Sequence, residues 1–85
     1  MGYYLDISKD LDKKLSNLAK KDKRQFEAIN KKVQQILENP SHFKPLKGDM
    51  HGARRVHIGS FVIVYEIDEE KIVRLLDYDH HDNVY

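Results

Sequence analysis

Four side chains in the second half of the chain could act together on a phosphodiester, and they belong to Arg55, His57, His81 and Tyr85. Histidine exchanges protons near neutral pH, so it suits a general acid or a general base. Arginine presents a planar cation that matches phosphate oxygens, and tyrosine can stack on a base or relay a proton. If these side chains converge, they form a patch suited to RNA cleavage without a metal, in which the ribose 2′-hydroxyl attacks the adjacent phosphorus.

Alternating residue types predict a strand over residues 54–58. Val56 and Ile58 would point to one face of that strand and Arg55 and His57 to the other, because successive side chains of a strand alternate. The apolar pair predicts a buried face. The polar pair predicts a face that presents a cation and a titratable group side by side.

Two further strands and a tail follow this segment. Gly59 and Ser60 suit a two-residue hairpin turn with glycine first. Residues 61–67 are almost continuously apolar, which predicts a central strand buried on both faces. After a turn, residues 72–78 form the next strand. The tail therefore leaves the sheet one strand beyond the central one.

The first half of the chain predicts a strand over residues 3–7 and two helices. Ser8 can cap the first helix, and Asp22 with Gln25 resembles a capping box for the second. Asn39 and Pro40 end the second helix. Each helix carries one apolar stripe and so covers one side of the sheet. We therefore expect a single α+β domain over residues 1–85.

Composition excludes several classes of protein. The chain has 85 residues and no cysteine, so neither a disulfide framework nor a thiolate metal site is possible. No apolar run approaches the roughly 20 residues that a membrane helix needs, and the N-terminus lacks the features of a signal peptide. We expect a cytoplasmic protein with no membrane partner and no small-molecule cofactor.

Charge is distributed unevenly along the chain, although the net charge is only +1. Residues 9–24 hold seven basic and three acidic residues, or +4. Residues 44–55 hold four basic and one acidic residue, or +3, and residues 66–82 hold seven acids and two bases, or −5. Such asymmetry can mark a surface that binds a polyanion. Three cations of the middle segment are candidates for binding RNA phosphates, namely Lys44, Lys47 and Arg54. The acidic stretch either faces away from RNA or receives a basic part of a partner.

The adjacent histidines of the tail do not predict a metal site. Neighbouring side chains of an extended chain point to opposite faces, so His80 is expected to point away from His81. His42 and His51 are expected to be loop residues without a role.

Two stretches of sequence resemble the RelE/ParE toxin superfamily. One runs from Pro45 to Ile67 and includes Leu46-Lys47-Gly48 and the residues Arg55 to Tyr65. The other is the ending Asp79-His80-His81-Asp82-Asn83-Val84-Tyr85, which is similar to the family's Gly-His-Arg-x-x-Val-Tyr. The resemblance covers the whole chain. It implies an N-terminal strand, a two-helix hairpin and a curved antiparallel sheet, in the order βααβββ.

The resemblance also implies a toxin of a type II toxin–antitoxin pair. RelE-type members cleave messenger RNA in the decoding site of the ribosome without a metal, whereas ParE-type members poison DNA gyrase. A cognate antitoxin protein blocks the active surface of either type. The expected partners are therefore an antitoxin, the ribosome and messenger RNA.

Individual positions match the family unevenly. Arg55 and His57 stand where RelE-like sequences carry basic residues, and Tyr85 matches the terminal aromatic residue. Val62 replaces a common arginine, and His81 replaces the arginine of the ending. These matches favour a ribosome-dependent endoribonuclease. A gyrase poison and an inactive homologue that serves as an antitoxin-binding module remain the alternatives.

Overall fold

The computed structural model describes residues 3–43 and 52–84, apart from the side chain of Val84. Its elements are, in order, β1 (Tyr4–Ile7), α1 (Lys9–Lys21), α2 (Lys23–Glu38), a 3₁₀ turn (Pro40–His42), β2 (Ala53–Ile58), β3 (Phe61–Ile67), β4 (Ile72–His80) and α3 (His81–Val84). This order confirms the predicted α+β fold. The sequence did not indicate the short α3.

The four strands form one mixed sheet in the order β1-β4-β3-β2. The pairs β2–β3 and β3–β4 are antiparallel, as predicted, whereas β1 lies parallel to β4. A parallel neighbour requires a long crossover, and here the two helices and two strands between β1 and β4 supply it. In the second half of the chain, β2 therefore lies at one edge of the sheet, and β3 and β4 lie inside it.

The helical hairpin packs on one face of this sheet. On α2 the buried residues Ile29, Val33 and Ile36 follow one helical stripe, and on α1 they are Leu11 and Leu15. These side chains form one core with seven residues of the sheet, namely Val56, Ile58, Ile63, Tyr65, Val73, Leu75 and Tyr78. The opposite face of the sheet is left without a helix among the described residues.

Local signals set the ends of both helices. The Ser8 Oγ accepts the N–H of Leu11 at 3.1 Å, and Asp22 Oδ1 accepts the N–H of Gln25 at 3.1 Å. Asp22 ends α1 as well, because its own N–H donates to the carbonyl of Leu18. The Gln25 amide donates across the core to the Ile58 carbonyl and the Tyr78 hydroxyl, so this residue ties α2 to the sheet.

The β2–β3 turn and the central strand follow the prediction. Gly59 has φ +64°, the conformation that the first position of a type II′ turn requires and that glycine adopts without strain. Strand β3 lies between β2 and β4, and its side chains are buried on both faces. Val62 and Val64 are buried on one face and Ile63 and Tyr65 on the other.

Replacing Tyr65 by phenylalanine is expected to lower the free energy of unfolding by about 1–3 kcal/mol, because the buried carbonyl of Pro40 loses its donor. The Tyr65 hydroxyl donates to that carbonyl at 2.5 Å, and burial raises the pKa of Tyr65 to about 12. This contribution to stability is complete below the unfolded pKa near 10 and is lost as pH rises towards 12. Urea unfolding at pH 7 measures the effect. Tyr4→Phe, at a side chain 72% exposed, should change stability little.

Candidate functional site

The sheet face opposite the helices presents the charged residues of the second half of the chain. Directly paired residues of neighbouring strands lie side by side on one face. One row contains His57, Val62 and Asp79. We call this surface the outer face; its side chains include those of Ala53, Arg55, His57, Val62, Val64, Asp77 and Asp79, and the row of Ala53 continues through Glu66 and Arg74. The predicted alternation of β2 is thus confirmed, with Arg55 and His57 on the face that the helices leave open.

The second row of the outer face contains Arg55, Val64 and Asp77. The two valines between the charged edges are almost fully buried. In these two rows the outer face therefore changes from basic on β2, through apolar on β3, to acidic on β4. The backbones that carry the opposite charges of one row lie two strands apart, which is about 10 Å. Asp77 and Asp79 lie on the same face as Arg55 and His57. These two acids therefore do not point away from the predicted RNA-binding side chains on β2.

Two other acids of the charged stretch, Glu66 and Asp68, share an ion pair with one arginine. The Arg74 guanidinium contacts carboxylates of Asp6 at 3.0 Å, Glu66 at 3.3 Å and Asp68 at 3.3 Å. The hydrogen bond to Asp6, followed by that to Glu66, raises the pKa of Arg74. This cluster lies towards the β3–β4 turn, away from the hairpin that carries His57.

Protonation of Asp68 is expected to destabilise the protein in acid. The pKa of Asp68 is lowered, first because its carboxylate accepts the N–H of Ile72, and also because it accepts the N–H of Glu70 and contacts Arg74. Its contribution to stability is present above the unfolded pKa near 4 and is lost as pH falls through the lower folded pKa. We therefore expect Asp68→Asn to flatten the loss of stability below about pH 4. Urea midpoints measured across that range test this, with Glu69→Gln as the control.

The tail histidines lie together, and the prediction that His80 points away from His81 is wrong. Strand β4 ends at His80 and the helical backbone of α3 begins at His81, so the alternation of an extended chain does not apply. The two imidazole rings stack with centroids 4.5 Å apart and planes 28° apart. His81 Nδ1 lies 3.0 Å from Asp82 Oδ1, and His80 Nδ1 lies 3.5 Å from Asp82 Oδ2. We call His80, His81 and Asp82 the tail cluster.

Contacts with the β2–β3 turn hold the tail cluster at one end of the sheet. The His81 N–H donates to the carbonyl of Ser60 at 3.0 Å. The His80 ring packs nearly perpendicular to the ring of Phe61, with centroids 5.6 Å apart, and Phe61 follows the same turn. His57 lies two residues before Gly59 on the other side of that turn. His57 and the tail cluster therefore flank one turn, although they come from different strands.

Asp79 stabilises the junction between β4 and α3. Its Oδ1 accepts the Asn83 side-chain amide at 3.2 Å and the His80 N–H at 2.7 Å. These two hydrogen bonds, the one from Asn83 first, lower the pKa of Asp79. The Asp79 carboxylate, which stands where the resemblance has a glycine, thus helps to position the tail.

The remaining candidate cations divide into two groups. Arg54 is paired with Tyr65 and lies on the helix side of β2, where its Nη1 donates to the carbonyl of Phe43 at 2.8 Å. This contact gives Arg54 a structural role on the face opposite Arg55. Lys44 and Lys47 lie outside the described residues, as does Tyr85.

A groove of about 320 Å³ lies along the open edge of β2. The described residues that line it are His42, Phe43, Arg55, Val56 and His57. The prediction treated His42 as a loop residue without a role. Residues 42 and 55 are distant in sequence, and no local pattern indicates their proximity. The groove brings a second imidazole, that of His42, close to Arg55 and His57.

Only the tail cluster, among the described residues, offers three side-chain ligands for a metal ion at close range. None of the described helices is long and apolar enough to cross a lipid bilayer.

Comparisons with known proteins agree with the architecture. The family described as the ParE toxin of the type II toxin–antitoxin system parDE matches residues 5–85. A Methanocaldococcus jannaschii protein described as a candidate toxin, RelE4, is 46% identical over 98% of this chain and 90% of its own length.

Two solved structures share the fold at low sequence identity. The toxin–antitoxin complex RelBE2 of Mycobacterium tuberculosis contains a chain with TM-score 0.78 and 23% identity, covering 95% of this chain and 100% of that one. A mutant of the Escherichia coli toxin RelE in the free state has TM-score 0.78 and 22% identity, covering 98% of this chain and 87% of that one.

Proposed function

The chain belongs to the ParE toxin family of type II toxin–antitoxin systems, and from this premise we propose that it cleaves messenger RNA on the ribosome. The observation that carries the proposal is the arrangement around the β2–β3 turn. Arg55 and His57 share the outer face of β2, and His81 is held against the same turn by its hydrogen bond to Ser60. His57 and His81 therefore lie near one turn, and Arg55 lies two residues further from that turn on the outer face of β2.

Each of these side chains has a role in the proposed cleavage. The Asp82 carboxylate lies 3.0 Å from His81 Nδ1 and can orient the ring so that Nε2 faces the substrate. His81 then takes the proton of the ribose 2′-hydroxyl, whose oxygen attacks phosphorus. The bond from phosphorus to the 5′-oxygen breaks, and His57 protonates that oxygen. Arg55 stabilises the charge that develops on the phosphate oxygens.

An antitoxin protein is the second partner that we propose. The structurally similar RelBE2 chain comes from a complex with an antitoxin. The outer face offers such a partner separate basic and acidic edges, which flank two valines that are already buried. A segment that covers this face would exclude RNA from Arg55 and His57. Action on the ribosome would place the protein in the cytoplasm.

Poisoning of DNA gyrase is the second candidate activity. Two observations favour it. The matching family carries the ParE description. Val62, which stands where the resemblance expects an arginine, lies between His57 and Asp79 on the outer face. At that position the chain has a buried apolar side chain, whereas binding of an RNA phosphate would be favoured by a cation.

One experiment separates the candidate activities. The purified protein is added to a reconstituted translation reaction, with RNA ends mapped by primer extension, and in parallel to a gyrase supercoiling assay. Cuts at fixed positions within codons, dependent on ribosomes, support the nuclease. Inhibited supercoiling with intact messenger RNA supports the gyrase poison. Silence in both assays would overturn both activities and favour an inactive antitoxin-binding homologue.

A further inference from the structure

The tail cluster has the spacing of a metal site. Ligand atoms from His80, His81 and Asp82 all lie within 4.8 Å of one another. Metal–ligand bonds of 2.0–2.2 Å at tetrahedral angles would place two ligand atoms about 3.4 Å apart. The measured separations from the Asp82 carboxylate are 3.0 Å to His81 Nδ1 and 3.5 Å to His80 Nδ1. The two histidine–aspartate pairs therefore already have close to the spacing that a shared ion needs.

The backbone around the tail cluster is held in place before any ion arrives. His81 is fixed by Ser60 and the His80 ring by Phe61, as described above. His80 Nδ1 also accepts the backbone N–H of Asp82 at 3.2 Å. This hydrogen bond uses the lone pair of His80 Nδ1, so an ion at that nitrogen would replace the Asp82 N–H. The cluster is thus partly organised for coordination.

We propose that His80, His81 and Asp82 bind one divalent transition-metal ion. Two imidazoles and a carboxylate suit copper, nickel and zinc, whereas magnesium and calcium prefer sites made of oxygen ligands alone. The side chains are half-exposed to exposed, at 37%, 44% and 72%, so an ion can enter from solvent and keep water on its remaining positions.

Metal binding does not rest on the proposed nuclease activity, but it has a consequence for it. His81 belongs to the tail cluster and is also the proposed base. A bound ion would occupy an imidazole nitrogen of His81 and pull the ring towards Asp82. We therefore expect the loaded protein to be a weaker nuclease than the metal-free protein.

Calorimetric titration of the untagged, full-length protein with zinc chloride tests the site directly. We expect one ion per chain. We expect His80→Gln and Asp82→Asn each to weaken binding by about 10-fold to 100-fold, since losing a ligand should cost at least as much as losing an outer-shell partner. His42→Gln, which removes a histidine elsewhere, should bind zinc as the unmodified chain does.

Absence of binding at concentrations up to about 1 mM would overturn the proposal, as would equal affinity in the His80→Gln protein. Circular dichroism of each variant verifies that it is folded, and histidine NMR signals show which rings respond to zinc. This readout is independent of catalysis. If the protein binds zinc at the tail cluster but cuts no RNA, the proposed metal site stands and the proposed nuclease activity is overturned.

Discussion

Replacing His81 by alanine is expected to reduce ribosome-dependent cleavage of messenger RNA by roughly 10²- to 10⁴-fold, the range that a positioned general acid or base contributes. The loss follows because the 2′-hydroxyl proton no longer has an acceptor at the turn where Ser60 holds the His81 backbone. Primer extension on a translated message, with the fraction cut followed over time, measures the rate. The side chain is half-exposed, so the fold should survive the substitution.

Chemical rescue distinguishes a lost proton acceptor from a displaced tail. Added imidazole should restore part of the cleavage in His81→Ala, since it can occupy the vacated space and exchange protons. It should not restore cleavage in an Arg55 variant, where a cation has been lost. Unchanged cleavage in His81→Ala would remove this residue from the mechanism. Lost cleavage with a lowered unfolding midpoint would assign His81 a structural role.

Replacing Arg55 by glutamine is expected to reduce cleavage by roughly 10²- to 10³-fold, which is the cost of removing one group that stabilises charge in a transition state. Arg55 lies on the outer face beside Val64, and the acid of its row belongs to the strand beyond. Arg55→Lys keeps the charge but loses the planar fork, so an intermediate rate is expected. Single-turnover cleavage on programmed ribosomes measures the chemical step separately from binding.

Arg24→Gln is the matched control for Arg55, because it removes the same charge from the exposed surface of α2. Equal losses in the two variants would indicate a general electrostatic effect on ribosome binding and would contradict a local role for Arg55. A low-salt measurement sharpens the comparison, since contacts that only attract RNA are screened by salt and recover when the salt concentration is lowered.

The position of Val62 makes Arg55 more important to the proposed activity. Val62 is fully buried between His57 and Asp79, and the resemblance places an arginine there. The centre of the outer face carries no cation at this position, so the substrate phosphate must bind Arg55 at the β2 edge. The acids on β4 would repel RNA, so we expect RNA on the outer face to lie closer to β2 than to Asp77 and Asp79.

Much of the fold followed from the sequence, because the relevant signals are local. The alternation over residues 54–58 placed Arg55 and His57 on one face, and the helical stripes identified the core side of α1 and α2. Gly59 indicated the turn, and Ser8 and Asp22 indicated the helix starts. Each of these features depends on residues within a few positions of one another, so periodicity and capping chemistry were enough to predict them.

The tertiary structure alone decided which distant groups meet. The turn into α3 stacked His80 on His81, the register of β3 and β4 put Asp77 and Asp79 on the face of the cations, and the path after α2 brought His42 to the edge of β2. These contacts depend on strand pairing and on where the chain leaves the sheet. Strand register and chain reversal are set by packing of the whole domain, so no local pattern in the sequence could specify them.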